Sequence, residues 1–155
     1  MLKNRSVPTD TILPHVMYRD VGAALTWLTQ TFGFVEHYRY GQPINGAQLH
    51  LGSAWIMIAQ AREGEAGAGS TWSPPRRTSP AHCGCATQSL TVFIEDIEKH
   101  YENVKTAARI VEDLHETAYG ELQYAALDLE GHHWLFSRHA KDVSPEDWGA
   151  TIPMR

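Results

Sequence analysis

The sequence predicts an α+β fold of two tandem βαβββ modules, each curving its sheet around a cavity with its helix on the convex side. Three observations predict it. At 155 residues the chain is one domain of ordinary size, or two half-size modules. The order strand, helix, three strands reads twice along it, and a stretch rich in Gly, Pro and Ser, residues 62–86, separates the two readings. Apolar residues make up 43% and charged ones 20%, the usage of a chain that buries a core.

Residues 11–19 are rich in β-favouring side chains, with Pro14 suited to an edge strand. Asp20 is then an N-cap, after which Ala23, Ala24, Trp27, Leu28 and Thr31 recur at helical spacing until Gly33 stops the helix. Three strands follow over 34–40, 47–51 and 55–59, punctuated by Gly41-Gln42-Pro43, Asn45-Gly46 and Gly52. Beyond the linker, residues 89–94 alternate as a strand, Asp96 is a second N-cap, and Ile97, Tyr101 and Val104 share a helical face. Three more strands are expected over 109–113, 122–127 and 133–137, the last two joined by the turn Asp128-Leu129-Glu130-Gly131. Phe34 and Ile110 each lie fourteen residues past the capping Asp, and Trp55 and Trp134 each lie three past a Gly. The expected organisation is a single domain over 11–139, with modules 11–61 and 87–139 around the linker 62–86, and a tail over 140–155.

Thirteen basic against eighteen acidic residues leave a formal charge of -5, which argues against nucleic acid as a partner. No apolar run approaches the roughly 18 residues of a membrane span and the first residues lack a signal-peptide core, so a soluble cytoplasmic protein is expected. Cys83 and Cys85, separated by one residue, are poorly spaced for a disulfide. No GxGxxG, P-loop, HExxH or serine nucleophile elbow occurs.

The run Gln88-Ser89-Leu90-Thr91-Val92-Phe93-Ile94-Glu95-Asp96-Ile97, with His100-Tyr101, Ala118-Tyr119-Gly120 and Asp128-Leu129-Glu130-Gly131-His132-His133-Trp134-Leu135-Phe136, resembles the glyoxalase/bleomycin resistance/dioxygenase superfamily, also called vicinal oxygen chelate. Tyr18-Arg19-Asp20-Val21, Ala23-Ala24, Trp27-Leu28 and Phe32-Gly33-Phe34 are similar to that superfamily's opening strand and helix. The resemblance implies a concave face on which enzymes of the superfamily hold a divalent metal with up to four side chains, from the first and last strand of each module. Counting along its motifs puts those positions at Leu13, Ser89, Leu135 and Met57, or Ile56 if the register is off by one. Such ions take N or O donors at about 2 Å, and hydrocarbon side chains offer none. The expectation is a cavity without metal or other cofactor, and glyoxalase, extradiol dioxygenase and metal-dependent thiol-transferase chemistry lose their Lewis acid.

The strand period of two sets the expected lining: Leu13, His15 and Met17; Trp55, Met57 and Ala59; Ser89, Thr91 and Phe93; His133 and Leu135. Ile12, Val16, Ile56, Ile58, Leu90, Val92, Ile94, Trp134 and Phe136 are expected to pack on the helices. This apolar and aromatic face with a few polar handles suits an aromatic or amphipathic small molecule. The implied function is a metal-independent binding protein of the bleomycin resistance type, with no catalytic residue, holding its ligand between the modules of a homodimer. The rival is a lyase, isomerase or dioxygenase with a displaced metal site built from His15 with His50 or His133, or with His15 as proton carrier. His50 either shares the cavity face or is an ordinary sheet residue, and of His132-His133 only His133 is a cavity residue. His82-Cys83-Gly84-Cys85 offers soft ligands but no second pair, the alternative being free thiols in a loop. Arg76-Arg77 is either a clamp for an anionic ligand or a partner chain, or part of a solvated loop.

Overall fold

The structure, a computed structural model, describes residues 4–8, 12–62 and 77–153. They divide into two compact units, one running up to Cys85 and including Leu129–Gly131, the other formed by Ala86–Asp128 and the chain from His132 onward. The first unit contains β1 (His15–Tyr18), α1 (Val21–Trp27), β2 (Val35–Tyr40), β3 (Gly46–Leu51), β4 (Ala54–Gln60) and the short α2 (Pro80–Cys83). The second contains β5 (Ser89–Phe93), α3 (Ile97–Val104), β6 (Arg109–Glu116), β7 (Glu121–Leu127) and β8 (His133–His139). Each unit has one four-stranded mixed sheet, ordered β1-β4-β3-β2 in the first and β5-β8-β7-β6 in the second. In both, the opening strand runs parallel to the last and the other pairings are antiparallel. This is the α+β repeat that the sequence predicts.

The caps lie where the sequence puts them. Asp20 accepts from the Ala23 amide at 2.9 Å and Asp96 from the Lys99 amide at 3.2 Å, each satisfying a donor that a helix start leaves open. After Trp27 the first helix widens into one π turn, Leu28–Phe32, and Gly33 closes it at φ +80°, a conformation that costs a residue without Cβ little. Leu25, Leu28 and Phe32 are buried, as are Val16, Ala47, Leu49 and Ile58 of the sheet. In the second unit α3 buries Ile97 and Val104, and most of the volume comes from Tyr124, Trp134 and Phe136 of the sheet. Tyr124 stacks on Phe136 at 5.0 Å, and its hydroxyl meets His100 Nδ1 at 2.6 Å. Burial pushes the Tyr124 phenol well above its ordinary range, with the neighbouring Tyr101 adding to it. The Trp134 indole donates to Asp128 Oδ2 at 3.0 Å, which ties β8 to the turn before it.

Several boundaries differ from the sequence expectation. β1 begins only at His15: Pro14 has no N–H to give the ladder, and only its carbonyl pairs, accepting from the Met57 amide at 2.8 Å. Leu13 therefore precedes the strand, and Ile12 is 76% exposed rather than packed on a helix. β6, β7 and β8 run longer than expected, since the Thr117 amide bonds the Glu121 carbonyl at 2.8 Å and continues the hairpin to a tight turn. Gly120 is required in that turn at φ +89°, where a Cβ would meet the Lys141 carbonyl at 2.4 Å. Within the expected linker 62–86, residues 63–76, including Arg76, lie outside the described residues. Its remainder contains α2, a helical turn that the Gly and Pro content concealed, with Ser79 as N-cap, Pro80 at the first position and Gly84 closing it. The Arg77 carbonyl accepts from the Arg62 amide at 2.7 Å. Residues 145–148 of the expected tail form a 3₁₀ turn.

Candidate functional site

The site is built on the face of the first sheet that points away from α1. The ladder sets Met57 opposite both His15 and Gln48, Met17 opposite Ala59, and Trp55 opposite His50. His15, Met17, Trp55, Met57 and Ala59 thus share one face as the strand period predicts, and His50 joins them, its ring 4.8 Å from that of Trp55. Leu13, outside the strand, is half-buried.

At the centre is Gln48, fully buried. Its Oε1 lies 2.7 Å from His37 Nδ1, and because an amide oxygen only accepts, the imidazole donates. That bond turns the Gln48 amino group toward the Met57 sulfur, at 3.4 Å, and the Ser6 carbonyl, at 3.5 Å. The Tyr38 hydroxyl donates to the same Ser6 oxygen at 3.0 Å. The His37 ring stands edge-on to Trp55 at 5.2 Å, so aromatic surface flanks the two donors.

His37, Tyr38 and Gln48 are absent from the sequence reading. Gln48 was within reach of it, since it lies two residues from His50 on one strand. His37 and Tyr38 were not, because neighbours on a regular strand point to opposite faces. A bulge in β2 between Glu36 and Tyr38 inserts the extra residue that lets both serve Gln48.

In the second unit, Ser89 stands opposite His133, Thr91 opposite Leu135 and Phe93 opposite Ser137, so the five predicted residues also share a face. The Ser89 hydroxyl and His133 Nδ1 are 2.9 Å apart. Phe93 is exposed with the His139 ring 4.8 Å away. His132 lies buried in the turn, its amide donating to Asp128 Oδ1 at 3.0 Å, while His133 begins the strand.

The four positions implied for the metal carry one thioether, one hydroxyl already bonded to an imidazole, and two hydrocarbon chains. This donor set does not fit a divalent ion that takes N and O ligands. Among the described residues no group of three or more His, Cys, Asp or Glu side chains could hold a metal ion. His15 and His50 lie on strands either side of β4, and His50 Nδ1 is 3.4 Å from the Gly52 carbonyl oxygen. Cys83 and Cys85 are exposed thiols with sulfurs 3.6 Å apart, and the bond to Cys83 pushes the Cys85 thiol up.

A cleft of about 640 Å³ in the first unit contains none of the predicted residues; Arg19, Gln60, Ala61 and Glu130 help to line it. Glu130 there accepts from the Arg19 and Asp20 amides at 2.9 and 3.0 Å and from the Ser79 hydroxyl, so the carboxylate staples this unit together. A second cleft, about 490 Å³ in the second unit, lies beside Tyr119, Glu121, His139 and Lys141 and likewise holds none of them.

Among solved structures, the chain is similar to TioX from Micromonospora sp. ML1, at 26% identity and a TM-score of 0.66, over 84% of this chain and 98% of that one. A lactoylglutathione lyase from Agrobacterium tumefaciens shares the fold at 13% identity and a TM-score of 0.61, over 84% and 94% of the two chains. A glyoxalase/bleomycin resistance protein/dioxygenase from Nocardioides does so at 14% identity and a TM-score of 0.60, over 90% and 89%. A search of curated proteins finds no match. The family model of the Glyoxalase/Bleomycin resistance protein/Dioxygenase superfamily matches residues 12–136, and with this match on two units of the same βαβββ order, the chain belongs to that superfamily.

Proposed function

We propose that this protein binds an aromatic or amphipathic small molecule without a metal ion and releases it unchanged, as a sequestering resistance protein or a sensor does. The observation that carries this reading is the set of side chains around Met57. At the place where a relative with a metal would present a ligand atom, this chain has a thioether, flanked by the Gln48 amino group, the Tyr38 hydroxyl and the Trp55 ring. Such a surface orients a ligand by hydrogen bonds and holds it by ring contact. His15, Met17, Trp55 and Met57, with Leu13 ahead of them, form the ligand face of the first unit; Ser89, Thr91, Phe93, His133 and Leu135 form that of the second. None is assigned a catalytic role.

Membership in the superfamily supports the reading at the level of the family, and the donor set at the metal positions supports its metal independence. The same reading has the protein act in the cytoplasm as a homodimer, with light scattering in solution as the check on the dimer. Among the described residues no helix is long and apolar enough to cross a membrane.

Elemental analysis of protein purified without added metal, paired with thermal shift against metal-free bleomycin and a panel of planar aromatic compounds, tests the proposal. Less than a tenth of an equivalent of Zn, Ni, Mn or Fe, together with ligand-dependent stabilisation, is expected. A stoichiometric metal that disappears in His15→Ala would replace this reading with an enzyme built on His15. No stabilisation by any compound would remove the binding function.

A further inference from the structure

The donors around Gln48 specify more than an apolar ligand. Two of them, Gln48 Nε2 at 3.5 Å and Tyr38 Oη at 3.0 Å, converge on a single oxygen, the carbonyl of Ser6. A carbonyl oxygen has two lone pairs and accepts both, whereas a lone N–H or an ammonium group accepts neither. The arrangement is prepared from behind: His37 holds Gln48 Oε1, and Gln48 is buried, so its amino group requires a partner in front of it. The segment that supplies the oxygen is lightly held. Ser6 itself is exposed, its amide turns back to the Asn4 side chain at 2.9 Å, and Val7 leaves 47% of its surface exposed. What Ser6 contributes to the face is its main-chain carbonyl.

We propose that this face recognises a carbonyl group borne on a flat ring, and that the segment around Ser6 is an internal competitor occupying the same acceptor place until the ligand displaces it. The proposal rests on the binding function above and names its ligand class: an aromatic amide, ester or ketone. The carbonyl oxygen takes the two hydrogen bonds now given to Ser6, and the ring lies along Trp55 and His50, whose own rings are 4.8 Å apart. Ligand binding and release of the segment are then one exchange, with two donors changing acceptor and neither left bare.

The test uses the ¹⁵N-labelled full chain titrated with 2-naphthamide and with 2-(aminomethyl)naphthalene, which keeps the ring but lacks the acceptor. The amide is expected to shift the Trp55 indole and Gln48 side-chain resonances. As it binds, the Ser6 and Val7 amides should move toward random-coil positions, and the amine should bind at least fivefold more weakly. Deleting residues 1–8 should tighten the Kd for 2-naphthamide threefold or more, and Tyr38→Phe in the full chain, which removes one donor from the free and the bound state alike, should cut the preference for the amide over the amine threefold or more. Equal binding of the two compounds would overturn the carbonyl assignment, and Ser6 unmoved at saturation would overturn the competitor. Either result leaves the binding function standing. If neither compound nor bleomycin shifted any resonance of this face, the binding function would fall, and this proposal with it. The Ser6 and Tyr38→Phe readouts decide the matter even if the shortened chain fails to fold.

Discussion

The two sheets have the same strand order but fill the space beneath their helices in different ways. In the first unit, α1 and its π turn bring Leu25, Leu28 and Phe32 onto a mostly aliphatic sheet face of Val16, Ala47, Leu49 and Ile58, joined by the buried Tyr18. In the second, α3 buries only Ile97 and Val104, so sheet residues supply the bulk, and they carry polar atoms that need partners: Tyr124 with His100, and Trp134 with Asp128. The opposite faces differ as well. In the second sheet, Gln123 Oε1 accepts from Tyr119 at 2.6 Å, a side chain four residues away. In the first sheet, Gln48 has its oxygen held from behind and its amino group aimed outward. The Gln48 amino group has the Ser6 carbonyl and the Met57 sulfur in front of it, and the carbonyl recognition proposed above rests on that group.

The largest effect is expected where the second core depends on a polar anchor. Trp134→Ala should cost about 3–5 kcal/mol, because it opens a cavity and leaves a buried Asp128 oxygen without its indole donor. Chemical denaturation measures it, and a loss below about 1 kcal/mol would mean that the second unit is not organised around this side chain.

Ligand binding separates the two glutamines. Gln48→Leu should abolish the Trp55 response to an aromatic amide, with stability within about 2 kcal/mol of the parent because His37 and Ser6, the groups that lose a partner, are exposed and can turn to water. Gln123→Leu should leave that response intact. If both variants bound alike, the contrast between the two faces would have no functional content.

Alkaline pH probes the polar core. Burial raises the Tyr124 phenol, and the bond to Asp113 raises that of Tyr101. Below about pH 10 the tyrosines are protonated in both folded and unfolded chains. Above it the unfolded chain loses its protons first, so stability falls as pH rises. Urea midpoints between pH 8 and 11 should show that decline, and Tyr124→Phe should flatten it at a cost near 1 kcal/mol. An unchanged slope in the variant would exclude Tyr124 as its source.

The smallest effect belongs to the surface of β2. The hydrogen bond from Arg39 holds the Glu36 carboxyl below its ordinary range, so its contribution is complete above that range and fades as pH falls through the lowered value. Arg39 is exposed and Glu36 half-buried at the sheet edge, so solvent screens the pair and Glu36→Gln should shift the acid midpoint only at the edge of detection. A large shift would mark the β2 edge as more than a solvated ion pair.

Much of this molecule was legible in the chain because the relevant signals are local. Asp20 and Asp96 cap helices through contacts three residues away, Gly33 needs only its own φ, and strand alternation places His15, Met17, Trp55 and Met57 on one face whatever surrounds them. The absence of metal-ligand side chains at Leu13, Met57, Ser89 and Leu135 was likewise visible in the residue types, once the motifs had set their positions. Tertiary structure decided what depends on partners distant in sequence. The Pro14 carbonyl meets the Met57 amide, some forty residues on, with Leu13 and Ile12 ahead of β1, and Glu130 finds its donors 110 residues upstream. The convergence of Gln48, His37, Tyr38 and Ser6 depends on a bulge that breaks the period of two. Periodicity and caps follow from the short-range sterics of the backbone, whereas a bulge is decided by which of two facing strands can better satisfy its polar groups, and that choice exists only once the strands have met.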